Sequence, residues 1–347
     1  PDKLCDQISD AVIDAFLSNG LTEPVTAECA LATGVIFLSI RGEHEAPFDA
    51  AALARRVMQE AGYEPAPGRR GPTVMLDSTL TPAESAEAPA GVARHMVTAF
   101  GHACGHTDTR MPYAIWAAHR LTAELDRART QGRIPWLGPD AQAQVAVEFR
   151  ERRPVAVRAV AITATGAEAP GDADVRDALL REVVAPGFDG APLGPDDETR
   201  LVFAAVRREG GPSAHSGLTG RKAADDTYGG FVRQSTAALS GKSPARIDRI
   251  AAYAARQAAR AVVAAELAEE CELQLSYIIG DEGPVSVEAD SFGSGRISDA
   301  AISERVREVF DFRVGAIAER MGLWRLPAER GGRFYRDLAT CGHMGRD

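Results

Sequence analysis

The segment GGPSAHSGLTGRKAADDTYGG, at positions 210–230, combines many glycines with two adjacent cations, Arg221 and Lys222. Six of its 21 residues are glycine, so the backbone must turn sharply or approach a ligand closely. Backbone N–H groups beside such cations make a cradle for phosphate. The segment matches neither the GxxxxGK[ST] loop nor GxGxxG. A glycine-rich surface loop with solvated charges explains the pattern equally well.

A second group of charges lies in SGKSPARIDR, positions 240–249, where a loop enters a predicted helix. Lys242 and Arg246 are suited to phosphate, and Asp248 to Mg²⁺, which prefers carboxylate oxygens. Asp248 also falls in the first helical turn, where a carboxylate is favourable in any case. Read alone, the segment is explained more simply by capping and solvated charges.

Other polar residues also have both a structural and a chemical interpretation. Taken alone, Asp2 is a helix N-cap and Asp140, which follows Gly-Pro, is a turn residue. His102 and His106 in GHACGHTD have the i,i+4 spacing of a metal pair. No helical pattern surrounds them and further ligands are missing, so we expect no zinc site there.

Pairs of strands alternate with long helices about three times, which predicts three α+β lobes although no sequence repeat is evident. Apolar periodicity predicts helices at 3–19, 49–61, 113–131, 175–184, 246–267, 298–310 and 313–321. Strands are predicted at 25–40 (with a break near Gly34), 73–76, 144–150, 155–163, 200–206, 272–280 and 285–290. The stretch of about 77–94 lacks an apolar period and is predicted to be a mobile lid loop.

Composition excludes several classes of protein. The 347 residues, 45% apolar and 25% charged, are typical of a globular chain of two or three domains. The net charge of −10 argues against a nucleic-acid binder. No window of 18 uninterrupted apolar residues occurs and no secretory leader is visible in the sequence, so no membrane association is expected. Five scattered cysteines without CxxC spacing predict a reduced compartment, and we expect a cytoplasmic protein.

Taken together, these segments resemble the S-adenosylmethionine synthetase (methionine adenosyltransferase) family. PDKLCDQISDAVIDAF is similar to the family's GHPDKxCDQISDAVLDA, and TAECALATGVIFLSIRGE to ACETxxxTGxxxxxGE. GLTGRKAADDTYGG and SGKSPARIDRIAAYAAR are similar to GLTGRKIIVDTYGG and SGKDPxKVDRSAAYAAR. FGHACGHTDTRMPYAIWAAHRL, GRIPWLGPDAQAQVAVEF and CGHMGRD resemble further family segments, so the resemblance is collinear over nearly the whole chain.

The resemblance implies a fold of three similar α+β lobes with pseudo-threefold symmetry, here an N-terminal lobe at 1–80, a central lobe at 95–205 and a C-terminal lobe at 206–347. It implies a homodimer with active sites at the subunit interface, and in many members a tetramer. The implied reaction joins the sulfur of methionine to C5′ of ATP, and the released triphosphate is hydrolysed to phosphate and diphosphate. Mg²⁺ and K⁺ assist. Such a reaction needs leaving-group stabilisation and in-line positioning rather than a general base.

The resemblance also implies a role for each group of residues. These roles are polyphosphate contacts at Arg221, Lys222, Lys242 and Arg246; Mg²⁺ ligands at Asp2 and Asp248; a K⁺ ligand at Glu28; a contact to the methionine amino group at Glu43; a ribose contact at Asp140; and a further nucleotide-site residue at Asp226. The family's catalytic histidine stands immediately before the Pro-Asp-Lys motif, which in this chain begins at Pro1.

Several ligand positions differ from those of the family. Two active-site aspartates are His95 and His215, a phosphate-contacting lysine is Gln142, and the phenylalanine that stacks on adenine is Arg207. Loss of two carboxylates weakens stabilisation of an ammonium group and a developing sulfonium. The sequence therefore leaves three alternatives to the ordinary reaction. They are a paralogue with a changed acceptor in specialised metabolism, a weakened nucleotide-binding or regulatory subunit, and a polyphosphate hydrolase that retains only the second half-reaction.

Overall fold

A computed structural model gives the structure of residues 1–63, 71–80, 91–208, 210–235 and 237–346. The helices in these ranges are α1 (Asp2–Ser18), α2 (Ala50–Glu60), α3 (Tyr113–Thr130), α4 (Asp172–Leu179), α5 (Ala185–Phe188), α6 (Ala223–Asp226), α7 (Ile247–Ala264), α8 (Asp299–Val309), α9 (Val314–Arg320), α10 (Leu326–Glu329) and α11 (Tyr335–Cys341). The strands are β1 (Val25–Ala32), β2 (Val35–Gly42), β3 (Thr73–Leu80), β4 (Val97–Cys104), β5 (Ala141–Arg150), β6 (Arg153–Thr165), β7 (Arg200–Val206), β8 (Gly217–Leu218), β9 (Glu270–Tyr277) and β10 (Ser286–Asp290).

The N-terminal lobe is a hairpin followed by a crossover helix and a parallel strand. β1 and β2 are antiparallel, and Ala32 lies opposite Val35 at their turn. The turn residues Thr33 and Gly34 have positive φ angles of 36° and 84°, as a two-residue hairpin loop requires. Helix α2 then crosses the sheet, and β3 pairs in parallel with β2.

Strand β3 is longer than the sequence predicts. Its pairing continues until Leu80 lies opposite Gly42, because β2 offers backbone partners over its whole length. The prediction of a loop at 77–80 is therefore wrong. Residues 81–90, the middle of the predicted lid, lie outside the described part of the chain.

The central lobe repeats this order of elements, and the C-terminal lobe repeats its helix and antiparallel strand pair. β5 and β6 form an antiparallel hairpin that turns at Glu151 and Arg152, with φ of 47° and 63°, and β7 pairs in parallel with β6. β9 and β10 form the third antiparallel pair, followed by α8. A long helix precedes each hairpin: α1, α3 and α7. The predicted fold class, α+β with three similar lobes, is confirmed.

Two strands cross between lobes. β8 joins the N-terminal sheet beside β1, and β4 joins the C-terminal sheet beside β9. The sequence did not predict β4, because the strand is largely buried and shows no clean alternation. α7 lies so close to it that a Cβ on Gly101 would be 2.0 Å from the carbonyl carbon of Ala255. The N- and C-terminal lobes thus share one core, whereas the central lobe has its own.

The central lobe also contacts the C-terminal lobe through a partly buried charge cluster. Arg152, at the tip of the β5–β6 hairpin, donates two hydrogen bonds to Glu270, at 2.8 and 2.6 Å. His102 Nε2 lies 2.8 Å from the same carboxylate. His102 is therefore part of this contact. No helix among the described residues is long and apolar enough to cross a membrane.

Candidate active site

Helix α1 carries an aspartate at every fourth residue, a spacing that places all four on one helix face. We call these four the aspartate row: Asp2, Asp6, Asp10 and Asp14. Each accepts a hydrogen bond from the backbone of a much later segment. In chain order the donors are the N–H groups of Leu218 at 3.0 Å, Gly220 at 2.8 Å, Gly241 at 2.8 Å, and Tyr335 and Arg336 both at 2.9 Å. The row therefore holds both cation-bearing segments singled out from the sequence.

The first cationic loop, residues 217–222, lies beside Asp2. Lys222 Nζ is 3.1 Å from Asp2 Oδ2, and the Arg221 guanidinium is 3.6 Å from Oδ1. Gly217 approaches so closely that a Cβ would lie 2.5 Å from the backbone of Pro1. Burial raises the pKa of Asp2, but the hydrogen bond from Leu218 and the two cations outweigh it, and the net shift is downward. Asp2 is thus held as a carboxylate.

The second cationic loop, residues 240–246, is fixed against β1. Gly241 has φ of 78°, and a Cβ there would be 2.1 Å from the carbonyl oxygen of Ala27, so only glycine fits. Ala27 N–H donates to the Gly241 carbonyl at 2.8 Å. The ammonium of Lys242 donates to Asp248 Oδ2. Arg246 Nε is 3.7 Å from the other oxygen of Asp248.

A buried ion pair supports this second loop. Arg249 Nη1 and Nη2 donate to the two oxygens of Asp10 at 2.7 and 3.0 Å, and neither side chain has exposed surface. Arg249 also donates to the carbonyl of Lys242 at 2.7 Å. Burial lowers the pKa of Arg249, but the Asp10 carboxylate more than compensates and raises it. The backbone of Lys242 is therefore tied to α1 and α7 together.

Asp226 lies beneath the first cationic loop rather than at its surface. It is 1% exposed and accepts a hydrogen bond from Lys3, which also lies 3.1 Å from Asp6. Burial raises the pKa of Asp226 to about 6, and the nearby Asp6 carboxylate acts in the same direction, whereas Lys3 opposes both. The sequence interpretation placed Asp226 at the nucleotide, but its carboxylate is buried in this charge cluster.

Asp140 and Arg207 lie where the central lobe meets the glycine-rich segment. Asp140 Oδ2 accepts the N–H of Gly211 at 2.8 Å. Arg207 donates to the carbonyl of Pro170 at 2.7 Å and forms an ion pair with Asp172. Its guanidinium is thus engaged with the central lobe.

The remaining predicted site residues occupy other positions around these loops. They are Glu28, exposed on β1; Glu43, half-buried after β2; Gln142, exposed on β5; His95, half-buried before β4; and His215, exposed ahead of β8. Within the described ranges, no hydrogen bond or ion pair joins Glu28, Glu43, Gln142 or His215 to either cationic loop. The structure therefore gathers two clusters of the predicted residues, and these four residues lie outside the hydrogen bonds and ion pairs of both.

The carboxylates of these clusters fit a divalent metal. Asp248 Oδ1 is buried and, among the described residues, receives no hydrogen bond. Asp2 is ionised and faces two cations. The described residues contain no group of three or more His, Cys, Asp or Glu placed for a metal. Asp2 and Asp248 suit Mg²⁺, which typically uses one or two carboxylates and completes its shell with water and substrate phosphates.

Lysine usage is a signal that the sequence interpretation missed. Only three of the chain's 39 lysine and arginine residues are lysine: Lys3, Lys222 and Lys242. All three pair with aspartates at or beside the aspartate row. Lysine is a compact point charge with rotatable donors, unlike the fixed fork of arginine. The restriction of lysine to this region therefore indicates the cluster even where no sequence motif is recognised.

Helix α3 contacts α6, the helix that follows the first cationic loop, because His119 donates from Nε2 to the carbonyl of Asp225 at 2.9 Å. Burial lowers the pKa of His119 to about 4, against about 6.5 when unfolded. The unfolded chain therefore binds more protons between pH 6.5 and 4, and stability falls as pH drops through that window.

We expect His119→Gln to make the free energy of unfolding less dependent on pH. Glutamine keeps a hydrogen-bond donor but does not titrate, so the decrease in the free energy of unfolding on acidification should be smaller by on the order of 2 kcal/mol. Urea unfolding at pH 7 and pH 4.5 would measure this decrease for both proteins, and the same decrease in the variant and in wild type would contradict the prediction.

Comparison with known proteins identifies the family to which the chain belongs. The fold defines the class, a three-lobed α+β protein in which one helix face holds two cationic loops. Family models of the S-adenosylmethionine synthetase N-terminal, central and C-terminal domains match residues 1–80, 91–206 and 209–347. The chain belongs to the S-adenosylmethionine synthetase family.

Named relatives match over the full chain. An S-adenosylmethionine synthase of Gloeobacter violaceus is 39% identical, over 100% of this chain and 90% of its own length. One from Synechococcus sp. (strain WH7803) is 40% identical, over 100% of this chain and 89% of its own. One from Synechococcus elongatus is 37% identical, over 100% of this chain and 90% of its own length.

Proposed function

We propose that this protein forms S-adenosylmethionine from ATP and L-methionine, with phosphate and diphosphate as the other products. The observation that carries the proposal is the placement of two cationic loops on one face of α1, with Arg221 and Lys222 on the first and Lys242 and Arg246 on the second. Two pairs of cations, one beside Asp2 and one beside Asp248, suit a metal-bound polyphosphate. The full-length relatives named as synthases support the choice of substrates.

The chemistry follows from this arrangement. The methionine sulfur supplies the electron pair for a bond to C5′, the bond from C5′ to the triphosphate oxygen breaks, and triphosphate leaves. No proton is removed, so no general base is required. Negative charge develops on the leaving oxygen, and Arg221, Lys222, Lys242 and Arg246 stabilise it before water cleaves the triphosphate. Their fixed loops hold the leaving group in line with the attacking sulfur.

Asp2 and Asp248 are the residues that would hold Mg²⁺. When bound, Mg²⁺ supplies charge neutralisation on the phosphates. Lys222 and Lys242 pair with these carboxylates, and we propose that phosphate oxygens attract those cations when the substrate binds. Glu28 is the proposed K⁺ ligand, which its exposed position on β1 permits.

The other predicted residues complete the proposed site. Asp140 binds the ribose, Glu43 the methionine amino group, and Gln142 and Arg207 the nucleotide, while His95 and His215 face the acceptor. Asp226 is reassigned: because its carboxylate is buried against Lys3, we propose that it supports the first cationic loop. The proposed lobes at 1–80, 95–205 and 206–347 assemble as a homodimer with interface active sites. The alternatives of a changed acceptor or a regulatory subunit are not favoured by the full-length similarity to synthases.

The test is incubation of the protein with ATP, Mg²⁺, K⁺ and L-methionine. We expect S-adenosylmethionine by mass spectrometry, in equal amount to phosphate and to diphosphate. Omitting methionine controls for ATP hydrolysis, and omitting K⁺ tests the proposed role of Glu28. Tight ATP binding by calorimetry without any S-adenosylmethionine would overturn the proposed reaction.

A further inference from the structure

The side chains of two members of the aspartate row, Asp6 and Asp10, bind the backbone of the cationic loops. Asp6 accepts the N–H of Gly220, the residue before Arg221. Asp10 accepts the N–H of Gly241, the residue before Lys242. Both carboxylates are fully buried, so neither is available to a substrate. Each instead fixes the main chain one residue ahead of a cation.

We propose that Asp6 and Asp10 are positioning residues that set the spacing between the two cationic loops, and so the register of the polyphosphate held between them. The proposal rests on the proposed function of these loops. Residues four apart on a helix are separated by about 6 Å along its axis. A rigid helix face therefore transmits one fixed spacing to two segments that lie far apart in sequence.

Contacts around Asp6 show that the first loop has little freedom to shift. Gly220 has φ of 82°, and a Cβ there would lie 2.4 Å from Cβ of Ala238, so the loop packs directly against the segment leading to the second loop. Thr219 Oγ1 lies 2.7 Å from Ser9 Oγ and accepts the N–H of Cys29 at 3.0 Å. Loss of the Asp6 acceptor would leave the Gly220 N–H unpaired at a tightly packed point.

The same helix provides a matched control in Asp14. It is also fully buried and accepts two backbone hydrogen bonds, but its donors are Tyr335 and Arg336 at the start of α11. α11 carries none of the proposed phosphate contacts. Asp14 therefore shares the structural role of Asp6 without the proposed positioning role.

The experiment compares Asp6→Ala, Asp6→Asn, Asp6→Glu and Asp14→Ala in the full chain. Calorimetric binding of inorganic triphosphate with Mg²⁺, kcat and KM for ATP, and thermal unfolding are measured for each. We expect Asp6→Ala to weaken triphosphate binding at least about tenfold and to lower kcat by about 10²-fold, since small displacements of positioned groups have effects of that size. Asp6→Asn keeps an acceptor and should stay within about threefold of wild type. Asp14→Ala should lose thermal stability and keep the wild-type triphosphate affinity and kcat.

Equal behaviour of folded Asp6→Ala and Asp14→Ala in triphosphate affinity and kcat would overturn the proposal. If Asp6→Ala does not fold, Asp6→Glu decides, because it keeps the charge and moves the acceptor by one methylene. We expect Asp6→Glu to lower triphosphate affinity and kcat together, and unchanged values would contradict the inference. Triphosphate binding needs no adenosyl transfer. A wild-type protein that binds triphosphate but makes no S-adenosylmethionine would therefore contradict the proposed function alone.

Discussion

Lys242→Ala is expected to lower kcat for S-adenosylmethionine formation by about 10²–10³-fold, the size of effect found when one donor to a developing oxyanion is removed. The Lys242 ammonium is little exposed and is directed by its ion pair with Asp248. Alanine removes the charge, while the loop keeps its backbone bonds to Asp10 and Arg249. The fold should therefore remain intact as the rate falls. Steady-state kinetics with saturating ATP and methionine would measure the change.

A matched control is Arg325→Ala. Arg325 is 72% exposed and pairs with Glu329 at 2.8 Å on the protein surface, remote in sequence from both cationic loops. Its removal changes the net charge by the same unit, and kcat should stay at the wild-type value. A wild-type rate for Lys242→Ala would show that the second cationic loop does not bind the leaving group.

Arg249→Met is expected to lower the free energy of unfolding by about 3–5 kcal/mol, because it leaves the Asp10 carboxylate buried without its partner. The double variant Asp10→Leu/Arg249→Met removes both charges and should recover much of this loss. Urea unfolding at pH 7 gives the values, and the coupling between the two sites is the interaction energy. A loss below about 1 kcal/mol for Arg249→Met would contradict the importance of this pair.

The periodicity of the long helices was sufficient to predict much of the fold. The predicted helix at 113–131 is observed at Tyr113–Thr130, and that at 246–267 at Ile247–Ala264. Such helices present a regular apolar face that a single sequence displays. β4 could not be found in this way, since its place between α7 and β9 depends on tertiary contacts that bury it on both sides. The extension of β3 to Leu80 likewise depends on the strand beside it.

The cations of the candidate site are visible in the sequence, whereas the role of the residues that support them is not. Glycines and adjacent cations are local signals, and they indicated Arg221, Lys222, Lys242 and Arg246. Aspartates at every fourth residue of α1 are equally visible, but charged residues in a helical stripe normally indicate a solvated face. Here Asp6, Asp10 and Asp14 are fully buried. Only the tertiary structure shows that their partners are backbone N–H groups from the C-terminal half.

The placement of the lysines has a consequence for chemical labelling. An amine-selective acylating reagent attacks primary amines and spares guanidinium groups, so among the basic side chains Lys and Arg it reacts with this chain only at Lys3, Lys222 and Lys242. Their exposed fractions are 23%, 42% and 14%, which makes Lys222 the most accessible. Coupling of lysine side chains to a surface or a dye is therefore directed to the proposed phosphate site. A bound polyphosphate that contacts Lys222 would protect this lysine from acylation. The extent of acylation at Lys222 would therefore measure the fraction of the protein that has polyphosphate bound.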